Sequence, residues 1–316
     1  MPHTESTKRA DVEVVTAAVV DGAVTVGDVG DTPVPWWSFT KTVLAAAALV
    51  LVDAGRLTLD KPLAGQRYTL RQLLQHRAGV PDYGSLAAYH DAVASGHSPW
   101  PAGELVERVY KHASGFEPGT SWTYSNVGYL YVRQLIEHAD GKEIGEAITR
   151  LVLMPLGIVN ARLARTPDDL TGTRWGNARR YHPGWVYHGL MIGSPVAAAL
   201  LLDRLLCGDL LSPSSLHAMR ESFRLGGPIV GRPWQAPGYG LGLMIETTTP
   251  PRFVGHTGGG PSSTAAVYHF AAPAPAVTAS AFSPCDDPGP VEQRVVDIAR
   301  AIAAGDDACA VSGAQD

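Results

Sequence analysis

The sequence predicts an α+β protein: a mostly antiparallel sheet, flanked by helices, with an inserted helical lobe. Three observations carry that prediction. Two Val-rich runs near the start, residues 11–20 and 23–29, are separated by Asp21-Gly22, the signature of a tight hairpin. Four short runs near the other end, residues 240–247, 252–255, 264–270 and 276–282, also read as strands. Between Thr69 and Arg224 the apolar spacing follows the helical period instead. Strands from both ends would then share one sheet. Residues 1–62 with 235–316 form the expected sheet lobe and residues 63–234 the mainly helical lobe, with a cleft where the two meet.

Individual elements have local causes. Thr69-Leu-Arg-Gln72 is a capping box that opens a helix through Leu73 and Leu74, with Gly79 as the expected stop. Ser194-Pro195 supplies an N-cap and a first-turn proline, and Gly208 ends that helix. Residues 291–304 read as an amphipathic helix with Val295, Ile298 and Ile302 along one face. The Ala/Pro stretch 271–276 reads as a turn, and the tail from Gly305 as loose.

Composition narrows the function classes. The 316 residues are 45% hydrophobic and 17% charged, with 25 basic against 30 acidic side chains for a net charge of −5. A charged fraction below the usual ~25% fits a large interior rather than disorder. The basic residues form no block, so nucleic acid is not an expected partner. The longest apolar run, residues 43–52, is about half of what a bilayer crossing needs. The first twenty residues lack the apolar centre of an export signal, so a cytoplasmic protein without a membrane span is expected. Cys207, Cys285 and Cys309 are odd in number and lack CxxC spacing, which indicates neither a zinc site nor a disulfide framework. His182 and His188 have no apparent third partner for a metal. No metal or organic cofactor is expected.

One residue stands out. Between Asp31 and Asp53 the only charge is Lys41, at the start of a helix that is apolar on every side and therefore buried. Burying an ammonium costs several kcal/mol unless it is paired or its pKa falls. Ser38 lies three residues earlier, one turn away on the same face. A lysine of depressed pKa beside a serine hydroxyl makes the serine nucleophilic without a histidine. The alternative is that Ser38 caps the helix while Lys41 reaches out to water.

Two further motifs decide between these. Ser38-Phe-Thr-Lys41, then Tyr124-Ser-Asn126, then His256-Thr-Gly258 on an expected C-terminal strand resemble the three active-site motifs of the serine β-lactamase and penicillin-binding protein superfamily. Tyr-x-Asn as the middle motif resembles class C β-lactamases and their D-alanyl-D-alanine carboxypeptidase and esterase relatives. Residues 57–63, 73–81, 117–120 and 154–157 also look like family segments, so the resemblance runs from about Val14 to Ala304.

The resemblance implies the β-lactamase/DD-peptidase-like fold and an acyl-serine mechanism. Ser38 would be the nucleophile, and Lys41 would take its proton or hold it poised. Tyr124 would exchange protons with Ser38 and the leaving group, which requires its pKa of ~10 to fall under a neighbouring Lys41 ammonium. Asn126 would donate to the substrate carbonyl and orient Lys41. His256, Thr257, Gly258 and Gly259 would line the substrate strand, with the Ser38 and Gly259 amides as the oxyanion hole. His256 stands where β-lactamases mostly carry lysine, and it would be charged only in part near neutral pH. The expected substrate is therefore a small ester, amide or D-amino-acid peptide. A β-lactamase proper and a non-catalytic scaffold on the same fold are the alternatives. Trp36, Trp37 and the aromatic loop 181–187 are candidate pocket walls, the loop facing either cleft or solvent.

Overall fold

The computed structural model describes residues 13–27, 31–175, 181–248, 252–272 and 274–305. The outer ends of the expected runs 11–20 and 23–29, the tail beyond Gly305 and Cys309 lie outside the described residues. The chain opens with the hairpin β1 (Val15–Val20) and β2 (Ala23–Gly27), then β3 (Val34–Pro35). Asp21 and Gly22 both have positive φ, 47° and 81°, as a two-residue hairpin turn of this twist requires. Helices α1 (Thr40–Asp53), α2 (Leu70–Leu74), α3 (Ala87–Ala94), α4 (Ala102–His112), α5 (Asn126–Asp140) and α6 (Ile144–Ile148) follow. Next come β4 (Ala161–Ala164), β5 (Leu190–Gly193), α7 (Pro195–Cys207) and α8 (Pro213–Arg220). Five strands, β6 (Phe223–Arg224), β7 (Pro237–Tyr239), β8 (Met244–Glu246), β9 (Val254–Gly260) and β10 (Ser263–Phe270), precede β11 (Val277–Ser283) and α9 (Gly289–Ala304).

The protein is α+β. One eight-stranded antiparallel sheet has the order β2-β1-β11-β10-β9-β8-β7-β6, so the first hairpin docks beside the last strand, with Val15 opposite Phe282 and Val20 opposite Val277. Small residues on alternate positions let a helix approach each face. On one face Val291, Val295 and Ile298 of α9 pack over Ala18, Ala266, Ala279 and Ala281. On the other, Ala199 of α7 packs against Ala17 and Val19. Among the described residues no helix is long and apolar enough to cross a membrane.

Three elements differ from the sequence expectation. Residues 240–247 are not one strand. The backbone turns at Gly242, where a Cβ would stand 2.5 Å from that of Ala45, so the close approach of α1 breaks the run. The capping box at Thr69 is made in both directions, at 3.2 and 3.0 Å, but α2 stops at Leu74 rather than Gly79. His76, at a φ of 59°, ends it, because its carbonyl and ring are both bound to the segment before α5. A second sheet, β3-β5-β4, was not expected, since strands of two to four residues carry too little period to read.

Helix α1 is the axle of the structure. Every residue from Thr40 to Leu49 is buried, and the Thr42 hydroxyl donates to Gly242 O at 2.7 Å. A cavity in it cannot collapse easily. We predict that Leu49→Ala costs about 2–5 kcal/mol in urea unfolding; a loss under about 1 kcal/mol would contradict this packing.

Candidate active site

The turn carrying Ser38 is strained and pinned. Trp37 has a φ of +44°, costly for a bulky residue, immediately before Ser38. Two indoles hold it there. Trp36 donates from Nε1 to Gly193 O at 3.2 Å, and Trp37 from Nε1 to Ser263 Oγ at 2.8 Å. A Cβ on Gly260 would stand 2.4 Å from the Trp37 ring, and one on Gly258 would stand 2.8 Å from Ser38 N. The two glycines of β9 are thus what lets the turn lie on the strand.

Lys41 is entirely buried, and Ser38 makes no side-chain cap to α1. The Lys41 Nζ lies 3.1 Å from Ser38 Oγ, donates to Asn126 Oδ1 at 2.7 Å and stands 3.1 Å from His188 Nε2. Among the described residues no carboxylate lies within hydrogen-bond distance of it. Burial, offset in part by the Asp82 charge, pushes its pKa down to about 7.

Tyr124 ends the segment that Ser125 caps onto α5 through Gly128 N–H, at 2.9 Å. Its hydroxyl donates to Ser38 Oγ at 2.8 Å, and its ring lies 4.3 Å from the ring of buried His76. Burial raises the Tyr124 pKa, corrected only in part by the bond to Ser38. The expected fall under a Lys41 ammonium is therefore reversed, since desolvation outweighs a lysine that is itself poised to lose its charge. Asn126 is fixed by Asp82, which accepts from its N–H at 2.7 Å and from Nδ2 at 3.3 Å. Its Oδ1 accepts from Lys41, and the residue lines the cavity that holds Ser38.

The third motif differs in chemistry from expectation. His256 is buried, with Nδ1 donating to Thr257 O at 2.6 Å and Nε2 accepting from the Tyr239 hydroxyl at 2.8 Å. Burial and the Lys41 charge push its pKa down to about 3, so it is neutral near pH 7 rather than partly charged. The Thr257 hydroxyl is bound to Tyr268 and to Glu292, a carboxylate with no exposure that also takes Arg232 Nε at 2.6 Å and Trp234 Nε1 at 3.2 Å. Gly258 packs against the Ser38 turn. Gly259 is exposed, its Cβ position 3.8 Å from the nearest neighbour, Thr264 Cγ2. Among the described residues the β9 edge away from β10 has no partner strand beyond Gly255, because β8 pairs only with Gly255 and Val254.

Two cavities meet at Tyr124 and Gly259. One, of about 420 Å³, holds Ser38, Asn126 and His188 and is walled by Trp37, Tyr83, Tyr89 and Tyr181. The other, of about 440 Å³, is lined by Trp122, Leu225, Tyr239, His256 and Arg232. The aromatic loop is divided between roles. Tyr181 faces the first cavity, while Trp185 is core and Tyr187 is tied to Trp100 O at 3.0 Å. His182 accepts from Gly184 N at 3.0 Å while His188 meets Lys41, so they do not converge. Among the described residues no group of three or more potential ligands could hold a metal.

Sequence reasoning gave no site role to Asp82, His76 or Glu292, and weighed His188 only as a metal ligand. His76 sits inside, and Asp82 just past, the segment 73–81 quoted for the resemblance, which was a usable signal. His188 and Glu292 had none, being linked to the site only through the fold.

Ser38, Lys41 and Tyr124 thus meet beside β9 on an α+β scaffold, and that scaffold is one shared with known proteins. The chain belongs to the Beta-lactamase family, whose model matches residues 5–283. A D-aminopeptidase of Brucella anthropi is 28% identical over 239 residues, 72% of this chain and 45% of that protein. The chain thus spans under half the length of the curated D-aminopeptidases it matches. Among solved structures, D-amino acid amidase from Ochrobactrum anthropi SV3 superposes with a TM-score of 0.77 at 21% identity, covering 91% of this chain and 95% of that one. A D-stereospecific amidohydrolase from Streptomyces gives 0.74 at 24% identity, covering 90% and 92%.

The glycines yield a paired prediction. Gly258→Ala, whose methyl would meet backbone atoms, should lose about 1–3 kcal/mol in thermal or urea unfolding. Gly259→Ala, with open space, should stay within about 0.5 kcal/mol of wild type. Equal losses in both would contradict the packing of the Ser38 turn on Gly258.

Proposed function

We propose that the protein is a serine hydrolase that cleaves small amides or esters of D-amino acids with apolar or aromatic side chains, through an acyl-Ser38 intermediate. The observation that carries this is Ser38 Oγ held between Lys41 Nζ at 3.1 Å and the Tyr124 hydroxyl at 2.8 Å, in an aromatic-walled cavity. As a free amine Lys41 takes the Ser38 proton while Oγ bonds to the carbonyl carbon. The backbone amides of Ser38 and Gly259 receive the carbonyl oxygen as it becomes negative. Collapse expels the amine or alcohol, which leaves with the proton that Lys41 holds, Tyr124 lying beside that path. Water then repeats the sequence on the acyl-enzyme and frees Ser38.

Substrate class rests on charge. A peptide ending in a free carboxylate, or a β-lactam, wants a cation near the third motif. His256 is neutral there, the Thr257 hydroxyl is bound to Glu292, and Arg232, which lines the second cavity, is paired with the same carboxylate. These features favour an uncharged leaving group over a carboxyl-terminal D-residue. The aromatic walls favour an apolar acyl side chain. The D configuration is taken from the relatives.

We expect wild type to hydrolyse D-phenylalaninamide at least about tenfold faster than the L isomer or acetyl-D-Ala-D-Ala, with a covalent adduct seen by intact mass on a p-nitrophenyl ester. Ser38→Ala should lose both turnover and adduct; full turnover by that variant would sink the reading, and its absence from wild type would favour a scaffold. For pH, the sign follows from Lys41: its ammonium cannot accept the Ser38 proton. The kcat/KM should therefore fall about tenfold per pH unit below about 7. A chemistry-limited profile flat over about pH 5 to 9 would exclude Lys41 as the base.

A further inference from the structure

His188 has no place in the three motifs, yet it is one of three groups on the Lys41 amine. The turn that Gly189 N–H closes onto Val186 O, at 2.7 Å, sets its ring into the interior just before β5. Its Nε2 lies 3.1 Å from Lys41 Nζ. Its Nδ1 is buried with no hydrogen-bond partner among the described residues.

We propose that His188 is a positioning residue that fixes the direction in which Lys41 presents its lone pair to Ser38. This rests on the acyl-serine reading above. A free amine has two N–H bonds and one lone pair in roughly tetrahedral directions. Asn126 Oδ1 at 2.7 Å and His188 Nε2 at 3.1 Å accept the two N–H bonds. The third neighbour of Nζ is Ser38 Oγ at 3.1 Å, which leaves the lone pair for its hydroxyl. Without the imidazole one N–H is free, and the amine can turn its lone pair away from the hydroxyl.

The tautomer follows. If Nε2 accepts, the ring proton sits on Nδ1, the atom without a partner. A buried N–H left unpaired is a cost that a leucine or phenylalanine in the same space would not carry. The acceptor on the other side of the ring, 3.1 Å from Lys41 Nζ, offsets that cost. No proton passes to His188 in the reaction, because a second ring proton would make a buried cation beside Lys41. Other titratable groups facing this pair are Tyr124, Tyr129, His76, His256, Asp82 and Arg133. All remain in place when His188 is changed.

The test is the rate of acyl-Ser38 formation from a p-nitrophenyl ester, by burst and intact mass across pH, in wild type, His188→Ala and His188→Gln. His188→Ala should acylate about 10- to 100-fold more slowly with KM little changed. Its acid limb should move up, since water entering beside Lys41 favours the ammonium. His188→Gln, whose side-chain carbonyl can accept from Lys41, should stay within about tenfold of wild type. A folded His188→Ala with the wild-type rate and limb overturns the assignment. Should the alanine variant not fold, the glutamine variant decides: a rate within about tenfold supports the role, and a loss as deep as that of Lys41→Ala ends it. An adduct missing from wild type itself removes the acyl-serine reading and this role with it, an outcome distinct from an indifferent His188.

Discussion

A lysine amine buried without a carboxylate governs this structure. An ordinary lysine pKa of 10.5 brought to about 7 corresponds to a difference on the order of 5 kcal/mol between charged and neutral forms. That difference is set by what surrounds α1, which is buried without a break from Thr40 to Leu49 and so gives Lys41 no path to solvent. Helix α5 covers it from one side, the Gly242 turn closes on Ala45 from another, and β5 brings His188 from a third. Loosening any of these would admit water and restore the ammonium. The apolar sequence of α1 is thus a chemical requirement as much as a packing one.

The same burial acts on the neighbours and makes the centre electrically quiet. His76, His188 and His256 are all held below their ordinary pKa by desolvation, with the Lys41 charge adding to it. Tyr124, Tyr129 and Tyr239 are pushed up by burial and keep their protons. Near neutral pH Lys41 is therefore the group in this cluster poised to change charge. Tyr124 is left as a donor to Ser38 rather than a phenolate. The division of labour between the two follows from their environments rather than from their residue types.

Much of this was legible in the sequence, and the remainder has identifiable physical reasons. Lys41 was visible because a lone charge in an apolar run violates a local rule, and Ser38 because one helical turn separates them. Tyr124 and Asn126 were legible only jointly with the other motifs. The direction of the Tyr124 shift and the charge of His256 were not, because both depend on desolvation by residues far apart in the chain. Tyr239, seventeen positions before His256, occupies its Nε2. The hairpin, the caps at Thr69 and Ser194 and the last helix had local signatures that the fold kept. The break at Gly242 and the end of α2 at His76 had none, since each is imposed by a partner from another element.

Glu292 shows how the far side of the sheet reaches the cleft. It lies on α9, on the face opposite α7, yet its carboxylate takes the Thr257 hydroxyl, the Tyr268 hydroxyl, the Trp234 indole and Arg232. Four donors on one buried carboxylate satisfy it fully, and breaking such a group is far costlier than any one of its bonds suggests. The arrangement turns Thr257 away from solvent and neutralises the arginine bordering the second cavity. With His256 closed between Tyr239 and its own neighbour's carbonyl, the third motif presents a backbone edge rather than a charge. The motif keeps its strand shape while its cationic groups are neutral or paired, and the proposed preference for an uncharged leaving group rests on that feature rather than on the nucleophile.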